Sequence, residues 1–323
     1  MRRASILLPI AFVACAALAA PKPVAKNAVA ANKAPAKTAS KAVPSGPTRA
    51  ATDPAIAAAI AAAVRSDEHR ARDKYRHPGQ TLTFFGLKPD MTVVEIIPGG
   101  GWYSEIIAPF LASGGRYVAA VPPGKETDSF QAMIAVSPDR YGKVQIVPFV
   151  FGQPTDLVPA GTADMVLTFR NIHNLLGSPD QPGDGNAPQA FADWYRALKP
   201  GGILGIEEHR LPEAMDIARE KTTGYVKRST VIRLAIAAGF QFAGASEVNR
   251  NPKDTHDWPK GVWTLPPSYD LGDTDKTKYA AIGESDRMTL KFVKPDPDAP
   301  AADTPAAPPP ADPAPPTDTP KPQ

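Results

Sequence analysis

The run MTVVEIIPGGGWYSEI, residues 91–106, constrains the fold more than any other part of the sequence. Residues 91–97 are apolar, rich in β-branched side chains and flanked by turn residues, as expected of a buried parallel strand. Three glycines at 99–101 interrupt this run, and residues 102–111 then have apolar side chains at helical spacing. A strand, a glycine turn and a helix N-terminus in this order let the backbone approach a bound molecule closely. The sequence therefore predicts a ligand loop after the first strand of an α/β sheet.

Strand and helix patterns continue to alternate after this loop. Apolar runs predict further strands at 116–121, 143–149, 164–169, 203–207, 241–247 and 287–293, and helical spacing predicts helices at 129–136, 188–198 and 229–238. Before the loop, Thr52-Asp53-Pro54 is a helix start signal and predicts a lead-in helix over 55–72. This alternation favours a Rossmann-like, doubly wound α/β domain with a mostly parallel sheet, whose ligands bind at the carboxyl ends of the strands. We place the domain at residues 53–294.

Both ends of the chain are predicted to lie outside this domain. Residues 1–20 combine Arg2 and Arg3 with an apolar run too short to span a bilayer and then small residues, which is typical of a cleaved signal peptide. Residues 21–52 are mostly Ala, Lys, Pro and Ser, and residues 295–323 are mostly Pro, Ala and Asp, so we expect two disordered segments. We expect export to the periplasm, with no transmembrane span after signal removal. A lipoprotein anchor at Cys15, the only cysteine, is the alternative.

The formal net charge of +3 does not indicate a nucleic-acid partner. The excess comes from Arg2, Arg3 and the lysines of 21–52, whereas residues 53–294 are mildly acidic. No stretch alternates aromatic and basic residues as a nucleic-acid platform does. The basic segment could contact an anionic membrane or a cell wall weakly, although a soluble spacer is the simpler interpretation. The sequence indicates no oligomeric state.

The glycine loop alone is compatible with several ligands. A dinucleotide fingerprint needs a third glycine where this chain has Ser104, and an acid after the second strand, where Val121-Pro122-Pro123-Gly124 stands. These absences count against NAD. Lys125 could meet a 2′-phosphate, which keeps an NADP-binding oxidoreductase as an alternative. A serine hydrolase is disfavoured because Ser104 lacks the flanking glycines of a nucleophile elbow.

Longer segments carry a resemblance to one family. LKPDMTVVEIIPGGGWYSEIIAPFL around the loop, DMVLTFRNIHNLL at the fourth predicted strand and ALKPGGILGIEEHR at the fifth resemble class I S-adenosylmethionine-dependent methyltransferases. Within that class the chain is similar to the exported group of predicted bacterial methyltransferases that share RDKYRHPGQTLTFFGLKP and a closing DRMTLKFVKP. The resemblance implies a seven-stranded sheet with an antiparallel last strand, S-adenosylmethionine as cofactor, and methyl transfer to a small-molecule acceptor.

The resemblance also implies roles for the loop. Glu95 would order the loop and face the amino-acid part of the cofactor, while Gly99 and Gly101 let the backbone pass beneath it. The other implied cofactor-binding residues are Pro98, Gly100, Tyr103, Arg170, Asn171 and Tyr75, the last from the lead-in segment that caps the cofactor mouth. Two features depart from the family pattern, since Ile97 stands where a glycine is usual and no acid ends the second strand to hold the ribose hydroxyls. Tyr103 or Glu126 would have to replace that acid.

Polar residues after the fourth and fifth predicted strands are the candidates for chemistry. Methyl transfer is an in-line displacement, so the protein mainly positions two reactants and removes a proton. His173 is our first candidate for the base, and Glu208 and His209 are expected on the same rim of the sheet. One alternative is that Asn171 and His173 merely satisfy backbone groups at a strand end. Another is that the charged run at 207–210 only orients a loop.

We expect no metal site. The five histidines form no pair on one helix face, and Asp254-Thr255-His256-Asp257 is typical of an ordinary polar loop. Trp258, Trp263 and Tyr269 are candidates for the wall of an acceptor pocket or for packing of a long connection. A module that binds a small ligand without turnover is the alternative to an enzyme, because an exported enzyme would depend on a cytosolic cosubstrate.

Overall fold

A computed structural model describes residues 51–62 and 65–298. The signal peptide predicted at 1–20, nearly all of the segment at 21–52 and most of the segment at 295–323 lie outside these residues. Within the described ranges, no helix combines the length and the apolar character that a membrane crossing needs.

The described residues contain one mixed sheet whose strands run in the order β3-β2-β1-β4-β5-β8-β7. Neighbours from β3 to β5 are parallel, whereas β8 is antiparallel to both β5 and β7. A two-residue strand, β6, pairs with the end of β5. The strands are β1 (Thr92–Ile96), β2 (Arg116–Val121), β3 (Gln145–Pro148), β4 (Ala163–Phe169), β5 (Leu198–Leu211), β6 (Val226–Lys227), β7 (Gln241–Ser246) and β8 (Arg287–Val293). The predicted mostly parallel sheet with an antiparallel last strand is confirmed, and β6 is an addition to it.

Helices cover both faces of this sheet. They are α1 (Pro54–Ala61), α2 (Asp67–Ala71), α3 (Asp73–Arg76), α4 (Pro78–Phe85), α5 (Ser104–Leu111), α6 (Lys125–Ala135), α7 (Pro138–Tyr141), α8 (Ile172–Leu175), α9 (Ala187–Ala197), α10 (Arg228–Ala237) and α11 (Lys276–Ile282). Because side chains alternate along a strand, Val94 of β1 packs in one core cluster with Trp194 of α9. Val93 packs in the opposite cluster with Phe85 of α4 and Ile106 of α5. The two-sided core confirms the doubly wound arrangement.

The strand β5 is longer than its predicted core at 203–207. It extends because β8 pairs with it as far as His209, opposite Arg287, and because β6 pairs with Arg210 and Leu211. The polar run at 207–210 therefore belongs to the sheet because β8 and β6, which are distant in sequence, pair with it. The local sequence pattern predicted that the strand ends at residue 207.

The prediction of one lead-in helix over 55–72 was wrong beyond its start. The Asp53 side chain accepts hydrogen bonds from the N–H groups of Ala55 and Ile56, as the start signal predicted. Helix α1 then ends at Ala61, and Arg65 is buried, where it forms a bidentate pair with Asp73. A continuous helix over this alanine-rich segment would bury little apolar surface. The tertiary contacts of Arg65 therefore determine where the helix ends.

Candidate functional site

The turn after β1 holds its backbone in left-handed conformations. Gly99 and Gly101 have φ angles of 56° and 76°, and Ile97 has a φ angle of 48°. This conformation suits glycine, and a β-branched residue such as isoleucine reaches it only with strain. A Cβ atom on Gly99 or Gly100 would meet no atom within 4 Å, whereas one on Gly101 would lie 2.4 Å from Cε of Met133. The turn is therefore open above Gly99 and Gly100 and closed by α6 at Gly101.

Glu95 lies beneath this turn and ties three elements together. Its carboxylate accepts hydrogen bonds from the hydroxyls of Ser104, at the start of α5, and Tyr117, on β2. Burial raises the pKa of Glu95 to about 7, against the lowering effect of these two hydroxyl donors. The side chain is only 2% exposed, so its contact with a ligand stays a prediction. Its ordering of the turn is direct, because it holds the first residue of the following helix.

A second strained turn follows β4 and contacts the first. Arg170 has a φ angle of 61°, and its N–H donates to the carbonyl of Glu207 on β5 at 2.7 Å. The amide of Asn171 donates to the carbonyls of Ile96 and Ile97 at 2.9 and 3.3 Å. Asn171 thus satisfies backbone groups at a strand end, as one of our interpretations expected. The same bonds fix the glycine turn against the end of β4.

His173 is held by Glu208 immediately beyond this turn. Its Nδ1 lies 3.0 Å from Oε1 of Glu208, and the N–H of Ile172 donates to Oε2 of the same carboxylate at 2.5 Å. The N–H of His209 also donates to Oε1, at 2.8 Å. A carboxylate only accepts, so Nδ1 of His173 is the donor and Nε2 is left as the acceptor of the neutral ring. The pair has the geometry of an oriented general base.

His209 lies beside His173, with ring centroids 5.4 Å apart. Its Nδ1 is 2.5 Å from the hydroxyl of Ser285. Burial lowers the pKa of His209 well below its ordinary value, and electrostatic interactions with His173 and Arg170 lower it further. His209 is therefore a neutral imidazole near pH 7. The two histidines and Glu208 are brought together as the sequence analysis expected of residues on one rim.

Both histidines line a cavity of about 220 Å³, which we call the arginine cavity. Its charged lining is formed by Arg72 and Arg76 from the segment before β1 and by Arg170 after β4, and its apolar lining by residues of the long connection before α11. The lining residues are Arg72, Arg76, Arg170, His173, His209, Val262, Trp263, Pro266, Pro267, Ser268, Glu284 and Ser285. The structure thus confines several cationic side chains and two imidazoles in one partly enclosed space.

Two buried carboxylates organise the arginines. Glu284 accepts from Nε of Arg72 at 2.7 Å and from Nε of Arg76 at 3.0 Å, and it also pairs with Arg287. Burial alone would raise the pKa of Glu284, but Arg287, Arg76 and Arg72 lower it to about 2. Burial lowers the pKa of Arg76, and Arg170 lowers it further. The arginine side chains therefore repel one another electrostatically, although each has a carboxylate partner.

Glu207 is the second of these carboxylates. It pairs with Arg170 and Arg287, each at 3.2 Å, and accepts from the hydroxyl of Tyr103 at 2.8 Å. The Tyr103 ring stacks on Phe169 and is 1% exposed. Tyr103 therefore does not present its hydroxyl to the open side of the glycine turn, where a ribose acid would be needed.

Of the remaining residues that the sequence analysis named, some line the arginine cavity and others pack elsewhere in the domain. Tyr75 packs its ring against Gly283, and its carbonyl accepts from Arg287, so it does not line the arginine cavity. Trp263 does line it, with its ring 6.0 Å from that of His173. Trp258 instead donates to Asp254 and packs on Tyr279. Glu126 is exposed in the first turn of α6, directly after β2.

The sequence analysis expected no metal site, yet the described residues bring His173, Glu208 and His209 together with one ligand atom each within 4.8 Å. The histidines come from different strand ends, which is why no local spacing indicated them. All four hydrogen bonds to Glu208 come from the chain itself, and arginines flank the histidines. This carboxylate therefore acts as the partner that orients His173.

Residues that the sequence analysis missed as part of the site are Arg72, Glu284 and Ser285. Arg72 and Arg76 are four residues apart in RDKYR, a spacing that places both on one side of a helical segment. That spacing was a usable signal for a shared partner. Glu284, more than 200 positions away in sequence, offered none.

Comparisons with known proteins give structural neighbours only. No family model and no curated protein matches the chain. A SAM-dependent methyltransferase from Aquifex aeolicus is 16% identical over 69% of this chain and 93% of its own, with a TM-score of 0.46. The (4+2)-cyclase SpnF is 15% identical over 68% and 80%, with a TM-score of 0.48. An arsenic(III) S-adenosylmethionine methyltransferase from Chlamydomonas reinhardtii is 15% identical over 77% and 76%, with a TM-score of 0.42. At such identities, what these names say of methyl transfer or cyclisation holds for those proteins alone.

Proposed function

We propose that the protein transfers a methyl group from S-adenosylmethionine to a small-molecule acceptor. The observation that carries this proposal is the contact between two features at one edge of the sheet. An open glycine turn follows β1, a carboxylate-held His173 follows β4, and Asn171 bonds the two turns together. The sheet order, with its antiparallel last strand, and the resemblance of the quoted segments support the same function.

The glycine turn suits the proposed cofactor. Gly99 and Gly100 face open space, so a ligand can lie directly against their backbone. Glu126 is exposed after β2 and is the carboxylate available to hold ribose hydroxyls in place of the missing acid. S-adenosylmethionine bound there would supply an electrophilic methyl group on a sulfonium.

His173 is proposed to accept the proton that the acceptor loses. Glu208 holds Nδ1 of His173, which leaves Nε2 to hold the proton that the acceptor would lose when its bond to the methyl carbon forms and the bond between sulfur and the methyl carbon breaks. The carboxylate of Glu208 then stabilises the resulting imidazolium. His209 is placed beside it as a neutral hydrogen-bonding group.

The first experiment tests the cofactor site by calorimetry with the full chain. Gly100 is exposed and lacks the left-handed φ that would strain a side chain, so Gly100→Leu should fold and fill the space above the turn. We expect this variant to bind S-adenosylmethionine at least about tenfold more weakly than the wild type, since close backbone approach is lost. Gly114→Leu is the matched control, because Gly114 is also exposed and its Cβ would make only ordinary contacts, the nearest at 3.6 Å. Absence of binding to the wild type at millimolar concentration would sink the proposal.

The second experiment tests the base. Wild type and His173→Gln are incubated with methyl-labelled S-adenosylmethionine and a bacterial metabolite extract, and label in small molecules is counted. We expect retained cofactor binding and a loss of transfer of about 100-fold or more, because positioned bases contribute roughly 100- to 10,000-fold. Equal transfer by both proteins would remove His173 from this role.

A second candidate, ligand binding without turnover, is favoured by the end of β2. Val121-Pro122-Pro123-Gly124 contributes no carboxylate there, and Lys125 is exposed at the start of α6. A parallel titration with NADPH covers the less favoured oxidoreductase, for which Lys125 would meet the 2′-phosphate. Binding of S-adenosylmethionine with no label transfer to any extract fraction would favour the binding module.

We also propose that the protein acts in the periplasm. The pattern of residues 1–20 supports this location, as does the loss of Cys15, the only cysteine, on signal cleavage. Terminal sequencing of the protein recovered from a periplasmic fraction tests it, and a lipid on Cys15 would indicate the anchored alternative.

A further inference from the structure

We propose that the arginine cavity binds a single negatively charged group, a carboxylate or similar oxyanion, on the methyl acceptor. The assignment to an acceptor rests on the proposed function, whereas anion binding itself does not. The cavity volume of about 220 Å³ suits a small molecule. Its lining contains no residue of the glycine turn at 97–101, so it is a separate compartment beside that turn.

The charge balance of the cluster favours an anion. Arg72, Arg76, Arg170 and Arg287 contact the carboxylates Glu207 and Glu284. With Glu208 behind His173 counted as a third carboxylate, four arginine charges face three carboxylate charges. One positive charge is left in excess in a partly enclosed site, where charge interactions are stronger than in water. A monoanionic group would balance it.

Donors on the charged lining are also available. Among the described residues, the bonds to Glu284 use Nε of Arg72 and of Arg76, and the bond to Glu207 uses Nη1 of Arg170. Within the described ranges, the other N–H groups of these three guanidiniums donate no hydrogen bond to the protein, and paired N–H groups of one guanidinium suit the two oxygens of a carboxylate. Burial lowers the pKa of both Arg76 and His209, and the charge of Arg170 lowers both further, as expected of a positive potential that an anion would relieve.

The apolar lining of the cavity indicates the rest of the ligand. Trp263, Val262 and two prolines line the same cavity as the arginines, and Trp263 is 37% exposed. A molecule with an acidic group and a flat or aliphatic body matches both parts of the lining. A bare metal ion matches neither, because the arginines repel a cation and Glu208 is engaged by the chain.

The test uses calorimetry with the full chain, in chloride buffer with a chelator present so that no metal mediates binding. Benzoate is the probe, and benzamide is its uncharged isostere. We expect benzoate to bind at least about tenfold more tightly than benzamide, because only benzoate makes charge-assisted hydrogen bonds. Equal binding of the two, or binding of neither, would overturn the proposal.

Variants locate the binding. Arg72 and Arg170 have partly exposed side chains, 20% and 19%, so Arg72→Gln and Arg170→Gln should fold. We expect each to weaken benzoate binding by about tenfold or more, since one charged donor group is removed. Arg233→Gln is the control, because Arg233 also pairs with a carboxylate, that of Asp184, but it is exposed and does not line the cavity. Circular dichroism confirms folding, and equal affinities in all three variants would contradict the assignment.

A final arm distinguishes the acceptor from the cofactor as the source of the anionic group. With S-adenosylmethionine saturating, retained or increased benzoate affinity supports an acceptor site, whereas competitive displacement would assign the arginines to the cofactor carboxylate and overturn the proposal. Benzoate binding without any S-adenosylmethionine binding would preserve the anion site and overturn its assignment to a methyl acceptor. Failure of the proposed function is thereby distinct from failure of the anion site.

Discussion

The glycine turn and the arginine cavity lie at the same edge of the sheet but are built in opposite ways. Residues 97–101 are Ile, Pro and three glycines, with no charge and with open space above the backbone. The arginine cavity is formed by long charged side chains packed against buried carboxylates. The turn offers shape and backbone groups, whereas the cavity offers charge. The two regions therefore suit two different kinds of ligand contact.

The two regions also differ in the source of the unfavourable free energy that their conformation carries. The turn is strained at a single residue, Ile97, which holds a left-handed φ angle. The cavity carries desolvated charges whose stability depends on partners from distant parts of the chain. Substitutions in the cavity should therefore affect folding more than substitutions in the turn.

The largest effect is expected from Glu284→Gln. Glu284 is 5% exposed and pairs with Arg72, Arg76 and Arg287, so its loss leaves buried arginines without their partner. We expect the free energy of unfolding in urea to fall by about 3–5 kcal/mol. Glu247→Gln is the control, because Glu247 is 36% exposed and Arg210 keeps its bidentate pair with Asp286. That control should lose about 1 kcal/mol or less. Similar losses in both variants would contradict the contrast between cavity and framework.

The next effect concerns pH and Glu95. Since burial raises the pKa of Glu95 to about 7 from 4.5, the folded state binds more protons than the unfolded state between these values. The stability contribution of Glu95 therefore falls as pH rises from about 4.5 to about 7, and then levels off. A shift of this size corresponds to roughly 3 kcal/mol as an upper estimate.

The variant Glu95→Gln isolates this contribution, because Gln can still accept from Ser104 and Tyr117. Urea unfolding of wild type and variant is measured from pH 5 to pH 8, and the wild type should lose stability relative to the variant as pH rises. The difference is the informative quantity, since the depressed pKa of His209 acts with the opposite sign in this window and is common to both proteins. A difference that does not change with pH would show that Glu95 is ionised throughout.

The smallest effect is expected in the turn itself. Ile97→Gly removes a half-buried side chain but also relieves a strained backbone, so we expect a net loss of about 1 kcal/mol or less. The neighbouring Ile96→Gly is the comparison, because Ile96 is fully buried in β1 and should lose about 4 kcal/mol or more. Thermal and urea unfolding of the pair measures the difference. Comparable losses of stability in the two variants would mean that the packing of the Ile97 side chain outweighs the strain in its backbone.

Local patterns predicted the sheet well. β2 and β8 have the predicted bounds, and β1 lies within its predicted run, because buried strands next to turn residues leave a clear signature in the sequence. The lead-in was predicted poorly, since its breaks depend on Arg65 turning inward to Asp73. Helix α4 was missed, although Gly86 ends it in a left-handed conformation.

The sequence could predict which residues lie at the strand ends of the candidate site. It could not predict the ion pairs that surround them. His173, Glu208 and His209 follow strands that the pattern identified, so their proximity could be expected. Arg72 and Arg76 both pair with Glu284. A local sequence pattern cannot predict a contact between residues so far apart in the chain. The left-handed φ of Ile97 was equally hidden, because the residue type argues against it.

Arg170 and Asn171 are adjacent residues that serve different regions. Arg170 lines the arginine cavity, while the amide of Asn171 bonds to the carbonyls of the glycine turn. A molecule bound in either region therefore restricts the same peptide unit, and the second molecule meets a segment that has already lost its conformational freedom. We expect positive cooperativity between the two ligands, of equal size whichever binds first, because coupling between two sites is reciprocal.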